Sequence, residues 1–295
     1  MNKKTFIRAV EYWVSSADGD LLEFGGGLFG DAQRLEAATR NLCFGKGEGL
    51  PGQAWEAGHP LMLKSLQAPG FHRAAAAKAA GLTCAVALPV FVGERLSTVV
   101  VLFCGDDEEH AGAVELWHNQ PEKSSDMTLL DGYYGTTGDT FEFLSRSTSF
   151  RQGTGLPGRT WENQAPVFMP DLGRGSGFLR ADSAVKVGIN RGFALPCSAT
   201  DGNVYVLAFL SALATPIARQ VDVWQPDALV SHLSHSFSFS EYHSIAEPIS
   251  DDRLELGMGT VGQVFASGVP ALMGDAIVMP VASNNRITAV LALSL

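Results

Sequence analysis

Several things are scarce in this sequence of 295 residues, and each scarcity excludes something. Basic residues are outnumbered, 21 against 31 acidic, for a net charge of −10, and no basic run offsets this. That balance argues against a nucleic-acid surface. No apolar stretch reaches the ~18 residues of a membrane span. Lys3 and Lys4 are followed by Arg8 and Glu11 rather than by an apolar signal core, so the expected location is cytoplasmic. Only four cysteines occur, Cys43, Cys84, Cys104 and Cys197, at no zinc spacing. Three sit in apolar surroundings and read as reduced core thiols. No nucleophile elbow, Ser-His-Asp order or phosphate loop is present. The glycine phrase described next lacks the Lys-Ser/Thr tail of a nucleotide loop.

What is there is a compact-protein composition, 46% hydrophobic and 18% charged, written as a repeat. Gly49-Leu50-Pro51-Gly52-Gln53-Ala54-Trp55-Glu56 returns as Gly155-Leu156-Pro157-Gly158-Arg159-Thr160-Trp161-Glu162, and more faintly as Gly259-Thr260-Val261-Gly262-Gln263-Val264-Phe265. The spacings are 106 and 104 positions. Val10-Glu11-Tyr12-Trp13 recurs at similar spacing as Val114-Glu115-Leu116-Trp117 and Val221-Asp222-Val223-Trp224. One unit copied and diverged explains this spacing.

Within each copy the pattern predicts a strand at the Trp phrase, a polar turn and a second strand. The glycine turn then opens a short helix from Pro51, ended by Gly58, and a proline leads into a third strand. A final hairpin closes each copy: Ala85–Val92 with Ser97–Cys104, Gly192–Cys197 with Val204–Ser211, and Ala276–Val281 with Ile287–Leu293. Before the hairpin, copies one and two insert an alanine-rich or mixed helix behind Phe71-His72-Arg73-Ala74 and Phe178-Leu179-Arg180-Ala181. Copy three lacks it: Pro60 to Pro89 is 29 positions, but Pro270 to Pro280 is only 10.

This order, with Gly47-Glu48-Gly49-Leu50-Pro51-Gly52, Phe71-x-Arg73-Ala74, Gly81 and Ala87-Leu88-Pro89 and their counterparts in copy two, resembles the GAF domain family. The resemblance implies an α+β fold, a profilin-like antiparallel sheet with helices on its faces, repeated over 1–105, 106–212 and 213–295, the last without its covering helix. It also implies a small-molecule pocket beneath that helix, with Trp55, Phe71 and Arg73 in copy one and Trp161, Phe178 and Arg180 in copy two as ligand-binding residues. Structural roles compete at each position: packing for the aromatics, capping or a surface salt bridge for the arginines. The connections between copies, about nine residues or fewer, also suit a phase-shifted arrangement in which 46–150 and 153–256 are permuted domains.

The special chemistries of the family leave no trace. No Cys-His pair invites a bilin, no Asn-Lys-x-Phe pattern invites a cyclic nucleotide, and the cysteines lack the grouping of the sulfoxide-reducing enzymes. His59 and His72 are weak haem ligands. His232, His235 and His243 in copy three suggest a metal, but His235 and His243, which would share a strand face with Phe237, Phe239 and Glu241, stand eight positions apart, so a packed or solvated strand is favoured. The expectation is therefore a protein without catalytic residues, metal or cofactor, which binds a small molecule in copies one and two and signals through a partner protein. Self-association into a homodimer is compatible with it, and neither nucleic acid nor membrane is an expected partner. The alternative is a scaffold or dimerisation module whose pockets are filled by its own side chains. A cavity of ~300 Å³ or more with converging polar groups separates the two. Thiol redox chemistry at Cys84 or Cys104 requires those sulfurs to be accessible. The three copies fill nearly the whole sequence, leaving no room within it for an output domain.

Overall fold

The computed structural model describes residues 4–105, 112–137, 139–173, 175–212, 215–240 and 253–295. Repeat 1 runs β1 (Ile7–Ser15), β2 (Leu21–Leu28), α1 (Gln33–Thr39), β3 (Cys43–Gly45), α2 (Gly49–Ala57), β4 (Leu61–Leu63), α3 (Ala74–Ala79), β5 (Cys84–Val92) and β6 (Arg95–Cys104). Repeat 2 runs β7 (Gly112–Asn119), β8 (Met127–Tyr133), α4 (Asp139–Arg146), β9 (Ser149–Phe150), α5 (Gly155–Asn163), β10 (Val167–Met169), α6 (Ala181–Lys186), β11 (Ile189–Cys197) and β12 (Val204–Ala212). Repeat 3 runs β13 (Gln220–Pro226), β14 (His232–Ser240), β15 (Leu254–Glu255), α7 (Gly259–Ser267), β16 (Ala271–Met273), β17 (Ala276–Ser283) and β18 (Arg286–Ser294).

Each repeat forms its own six-stranded sheet, and the strand order is the same three times: β3-β2-β1-β6-β5-β4, β9-β8-β7-β12-β11-β10 and β15-β14-β13-β18-β17-β16. The mixed α+β class and the triplication hold. Tyr12 pairs with Val100 and Trp13 with Val99 of the same repeat, which excludes the phase-shifted arrangement. The copies agree in detail. Each first strand shifts register just before its tryptophan, between Tyr12 and Trp13, Leu116 and Trp117, and Val223 and Trp224.

The glycine phrase has the same work in each copy. Gly47, Gly153 and Gly257 are left-handed, with φ of 84°, 82° and 76°. Their amides donate to the carbonyls of Gly52, Gly158 and Gly262 at 2.8, 2.8 and 3.0 Å. A Cβ on Gly52, Gly158 or Gly262 would stand 2.1, 2.1 or 2.5 Å from a backbone oxygen of the preceding strand. The helix start therefore sits against the strand end as only glycine allows. Helix α2 ends at Gly58 and α7 at Gly268, both left-handed. In α5 Gln164 adopts that conformation itself, at φ 50°.

The expected antiparallel sheets with helices packed on them are present. Among the described residues every helix lies on the outer face, because the inner face is covered by the other two sheets. The side chains of β5 and β6 alternate: Val86, Leu88, Val100 and Leu102 enter a central core shared by all three repeats, while Ala85, Ala87, Val99, Val101 and Phe103 face the helices. β12 does the same, with Leu207 and Phe209 inward and Val206, Ala208 and Leu210 outward. A strand buried on both faces reads as an unbroken apolar run, and Cys84-Ala85-Val86-Ala87-Leu88-Pro89-Val90-Phe91 is one.

The three hairpins meet at Leu88-Pro89-Val90, Leu195-Pro196-Cys197 and Met279-Pro280-Val281 around a void of ≈ 20 Å³. Each proline lies two residues beyond the last one paired to the short outer strand (Ala87, Ala194 and Val278), where a missing N–H deprives no ladder. Ser198 binds the turns together: its Oγ accepts from Phe91 N–H at 3.2 Å and donates to Asn285 Oδ1 at 3.0 Å. Asn285 in turn accepts from Gly93 N–H at 2.9 Å through its backbone carbonyl. At the other end Phe6 and Ile7 donate to the carbonyls of Pro216 and Ile217, joining the first strand to the connection between repeats 2 and 3.

A shared core makes the repeats unfold together. Leu207→Ala and Leu291→Ala, both fully buried in that core, should each lower stability by about 2–5 kcal/mol. The urea transition should stay single; a separate early transition for repeat 3 in Leu291→Ala would refute the joint core.

Candidate functional site

The outer face of repeats 1 and 2 is organised by a carboxylate that the sequence reading passed over. Glu11 and Glu115 stand two positions before the tryptophan, point to the same face, and are 0% exposed. Isolated buried carboxylates are costly, and each of these has several donors. In repeat 1, Arg73 donates from Nη1 to Glu11 Oε2 at 2.6 Å and from Nη2 to Oε1 at 2.8 Å. Trp13 Nε1–H adds a bond at 3.1 Å, and Thr39 Oγ1, from the end of α1, accepts from Arg73. Repeat 2 repeats the arrangement with Arg180 forked onto Glu115, Trp117 Nε1–H at 3.0 Å, and Ser145 in place of Thr39. Tyr134 Oη–H gives Glu115 one further bond, at 3.0 Å.

The arginines, expected to meet a ligand anion or to cap or bridge at the surface, are instead buried beside rings and neutralised by glutamate. Arg73 lies 5.2 and 5.4 Å from Phe71 and Phe103, and Arg180 lies within 6.0 Å of Trp117, Phe141, Phe150 and Phe178. Burial alone would push the Glu115 carboxyl up; the adjacent Arg180 charge and the bonds from Arg180, Ser145 and Tyr134 outweigh it and hold the pKa below its ordinary value. The signal that could have found these acids was the phrase Val-Glu-x-Trp in copies one and two, followed by Asp222 in copy three. Helix α1, which supplies Thr39, has seven residues and no side-chain N-cap; α4, which supplies Ser145, was legible as an amphipathic segment with Asp139 and Glu142 in its first turn and Arg146 in its last.

Above this pair the two repeats differ. In repeat 1 a cavity of ≈ 200 Å³ opens between α2 and the segment leading into α3, with Phe44, Leu50, Gln53, Phe71, His72 and Arg73 in its wall. At ≈ 200 Å³ it falls short of the ~300 Å³ expected of a sensing pocket, and it has room for a small occupant only. Of the expected residues, Phe71 and Arg73 meet here, while Trp55 is half-buried against the outer core with Lys46 Nζ 6.0 Å from its ring. In repeat 2 the residues equivalent to Phe44, Leu50 and Phe71 are Phe150, Leu156 and Phe178, only 0, 1 and 4% exposed. Phe178 and Trp161 there belong to a packed outer core, and Arg180 borders an open recess of ≈ 520 Å³ with Leu179, Asp182 and Ser183.

Three of the four cysteines are buried, and Cys43 is exposed. Cys84 and Cys104 face each other across the β5–β6 pair and are 0% exposed, which removes the thiol reading at those sulfurs. Burial pushes the Cys197 thiol up to about 12. Of the strand suggested for metal, His243 and Glu241 lie outside the described residues. Among the described residues no group of three potential ligands gathers, and no helix is long and apolar enough to cross a membrane.

No family model matches this chain, and no curated protein does. Solved structures similar to parts of it include the nlh2 GAF domain of A. aeolicus in an inactive state, at 18% identity over 35% of this chain and 60% of that one, with a TM-score of 0.28. A Staphylococcus aureus NreA protein mutated in its nitrate-binding site aligns at 14% identity over 34% of this chain and 74% of that one, TM-score 0.28. A hypothetical S. aureus protein gives the same identity and TM-score over 34% of this chain and 82% of that one. The first match thus spans less than two thirds of its counterpart.

Removing one side of the buried pair should cost far more than removing both. Arg180→Met should destabilise by about 3–5 kcal/mol, and Arg180→Met with Glu115→Leu by much less. The lowered pKa of Glu115 means its contribution is fully present above about pH 4.5 and is lost as pH falls through the folded-state value. Urea titrations at pH 7 and below 4.5 should show a shallower acid loss in the double variant than in wild type; equal slopes would contradict the linkage.

Proposed function

We propose that this chain is a non-enzymatic GAF-type regulatory protein that binds one small molecule in repeat 1 and acts through a partner protein. The observation that carries the reading is the cavity of ≈ 200 Å³ beside Phe44, Leu50 and Phe71, in a repeat whose sister has the same positions buried. Leu42, Leu63 and Pro69 line it with apolar surface, and Gln53 and His72 supply polar groups. The guanidinium of Arg73 is engaged by Glu11, so a neutral or weakly polar ligand fits better than a free anion.

Ligand occupancy would be read through α3. Phe71 and Arg73 belong both to the cavity wall and to the entry of that helix, so a molecule that favours one setting of Phe71 shifts the helix population. The partner-facing surface in this reading is the outer side of α3, with self-association of the chain a compatible arrangement. For repeat 2 the scaffold reading is favoured by Phe150, Leu156 and Phe178, which close the equivalent space with their own rings and aliphatic groups.

Native mass spectrometry of freshly purified full-length chain tests this. A copurified small-molecule adduct is expected, lost in Leu50→Trp, which places an indole in the repeat 1 cavity. Only bare protein mass, or an adduct that survives Leu50→Trp, would overturn the assignment to repeat 1.

A further inference from the structure

Repeat 3 keeps most of the repeat 1 cavity and lacks one of its walls. Leu254, Gly259, Thr260, Val261 and Met273 line a recess of ≈ 220 Å³. They stand where Phe44, Gly49, Leu50, Pro51 and Leu63 line the cavity of repeat 1. There the remaining wall is Pro69 to Arg73, the entry to α3. β16 and β17 are separated by two residues, Gly274 and Asp275, so repeat 3 has no such segment and no helix behind it. The tryptophan beneath registers the loss. Trp13 and Trp117 are 0% exposed, whereas Trp224 is half-buried and lines the recess.

The rim of the recess is apolar where its counterparts are polar. The residue just before the helix-opening glycine is Glu48 in repeat 1 and Thr154 in repeat 2, but Met258 in repeat 3, where it is 62% exposed. Met273, 39% exposed, lines the same space. Exposed apolar side chains gathered at one recess mark a surface that another molecule covers, and methionine adapts to the shape it meets. The carboxylate is unfinished as well. Glu115 receives two bonds from Arg180 and one each from Trp117 and Tyr134. Asp222, at the same position, receives two among the described residues, from the Ser238 hydroxyl on Oδ1 and from Gln220 Nε2–H on Oδ2. His235 Nε2 stops 3.6 Å short of Oδ1. Each oxygen therefore has a lone pair left for a further donor. The Asp222 side chain is 13% exposed, against 0% for the two glutamates.

We propose that this face docks a segment of a partner protein built like the missing wall: an aromatic residue, an arginine two positions later, and a short apolar helix. The chain itself supplies the template, with Phe71-His72-Arg73 before α3 and Phe178-Leu179-Arg180 before α6. In both, the aromatic lies against its arginine and the arginine forks onto the strand carboxylate. On repeat 3 the partner's ring enters the recess beside Trp224, Met258 and Met273, and its guanidinium meets the unfilled side of Asp222. A net charge of −10 favours the approach of a basic segment. This face is separate from the repeat 1 cavity and from the outer side of α3, so it stands or falls without them.

Fluorescence anisotropy of a labelled peptide titrated with the full chain tests the proposal. The probe is residues 66–82 of this chain, the covering segment of repeat 1, offered in trans to the intact protein. It should bind, and Phe71→Ala or Arg73→Gln in the peptide should each weaken binding at least about tenfold. Met273→Glu in the protein, a change at an exposed position, should weaken the unaltered peptide by at least the same factor. Asp222→Asn should bind the unaltered and the Arg73→Gln peptides within about twofold of each other, because the arginine then has no carboxylate to meet. No binding up to about 1 mM, binding that survives Met273→Glu, or equal affinities of the wild-type chain for the unaltered and Arg73→Gln peptides would overturn it. Self-association abolished by Met273→Glu, with no binding of the peptide, would put a second copy on this face instead. If Asp222→Asn does not fold, the peptide variants against the wild-type chain decide.

Discussion

A carboxylate inside an apolar sheet face must find a cation, and that requirement organises the outer half of repeats 1 and 2. Glu11 and Glu115 are fixed by their strands two residues before a buried tryptophan. Their partners arrive from the far side, at the entry of α3 and α6, with a hydroxyl from α1 or α4 beside them. One ion pair thus joins sheet, covering helix and preceding helix. Pairs of this kind add little net stability over apolar packing, but they penalise any arrangement that separates the partners. They set where the covering helix sits more than how strongly it is held. Repeat 3 shows the converse: without helix and arginine the glutamate is replaced by Asp222, satisfied locally by Ser238 and Gln220.

Much of the fold was legible because it was written three times. The Trp phrase, the glycine phrase, the prolines and the hairpin turns lie where the periodic spacing places them, and the missing helix of repeat 3 follows from the distance between Pro270 and Pro280. What stayed hidden was tertiary. The unbroken apolar run of β5 says that both faces are buried, yet nothing local says that the second face meets β11 and β17 rather than more helices. The Arg–Glu pairs were half visible: Arg73 and Arg180 stood out by their repeated setting, while their partners lie 62 and 65 residues earlier in the chain. The openness of the cavities was not visible at all. Phe44 and Phe150, or Phe71 and Phe178, are the same residue type in the same phrase, and only the surrounding packing separates a cavity wall from a filled core.

The inner and outer faces are therefore under different constraints. Inward residues such as Val86, Leu207 and Met279 share one core, and a change of volume in any of them is felt by the other two sheets. Outward residues pack mainly on the helices of their own repeat, with cross-repeat bonds at helix ends, such as Ser97 Oγ to Ser267 O and Thr200 N–H to Gly58 O. The three outer faces have diverged accordingly: one with a small cavity under a helix, one closed by its own aromatics, and one without the helix.

Three equivalent sheets closing around a common axis of prolines is the geometry of a trimer, achieved here within a single polypeptide. In an assembly of identical subunits each substitution appears at every position at once, and a change useful at one surface is imposed on all. Covalent linkage, with Ser198 clasping the turns of the first and third sheets, removes that coupling. Specialisation of one surface then leaves the symmetry of the interior untouched.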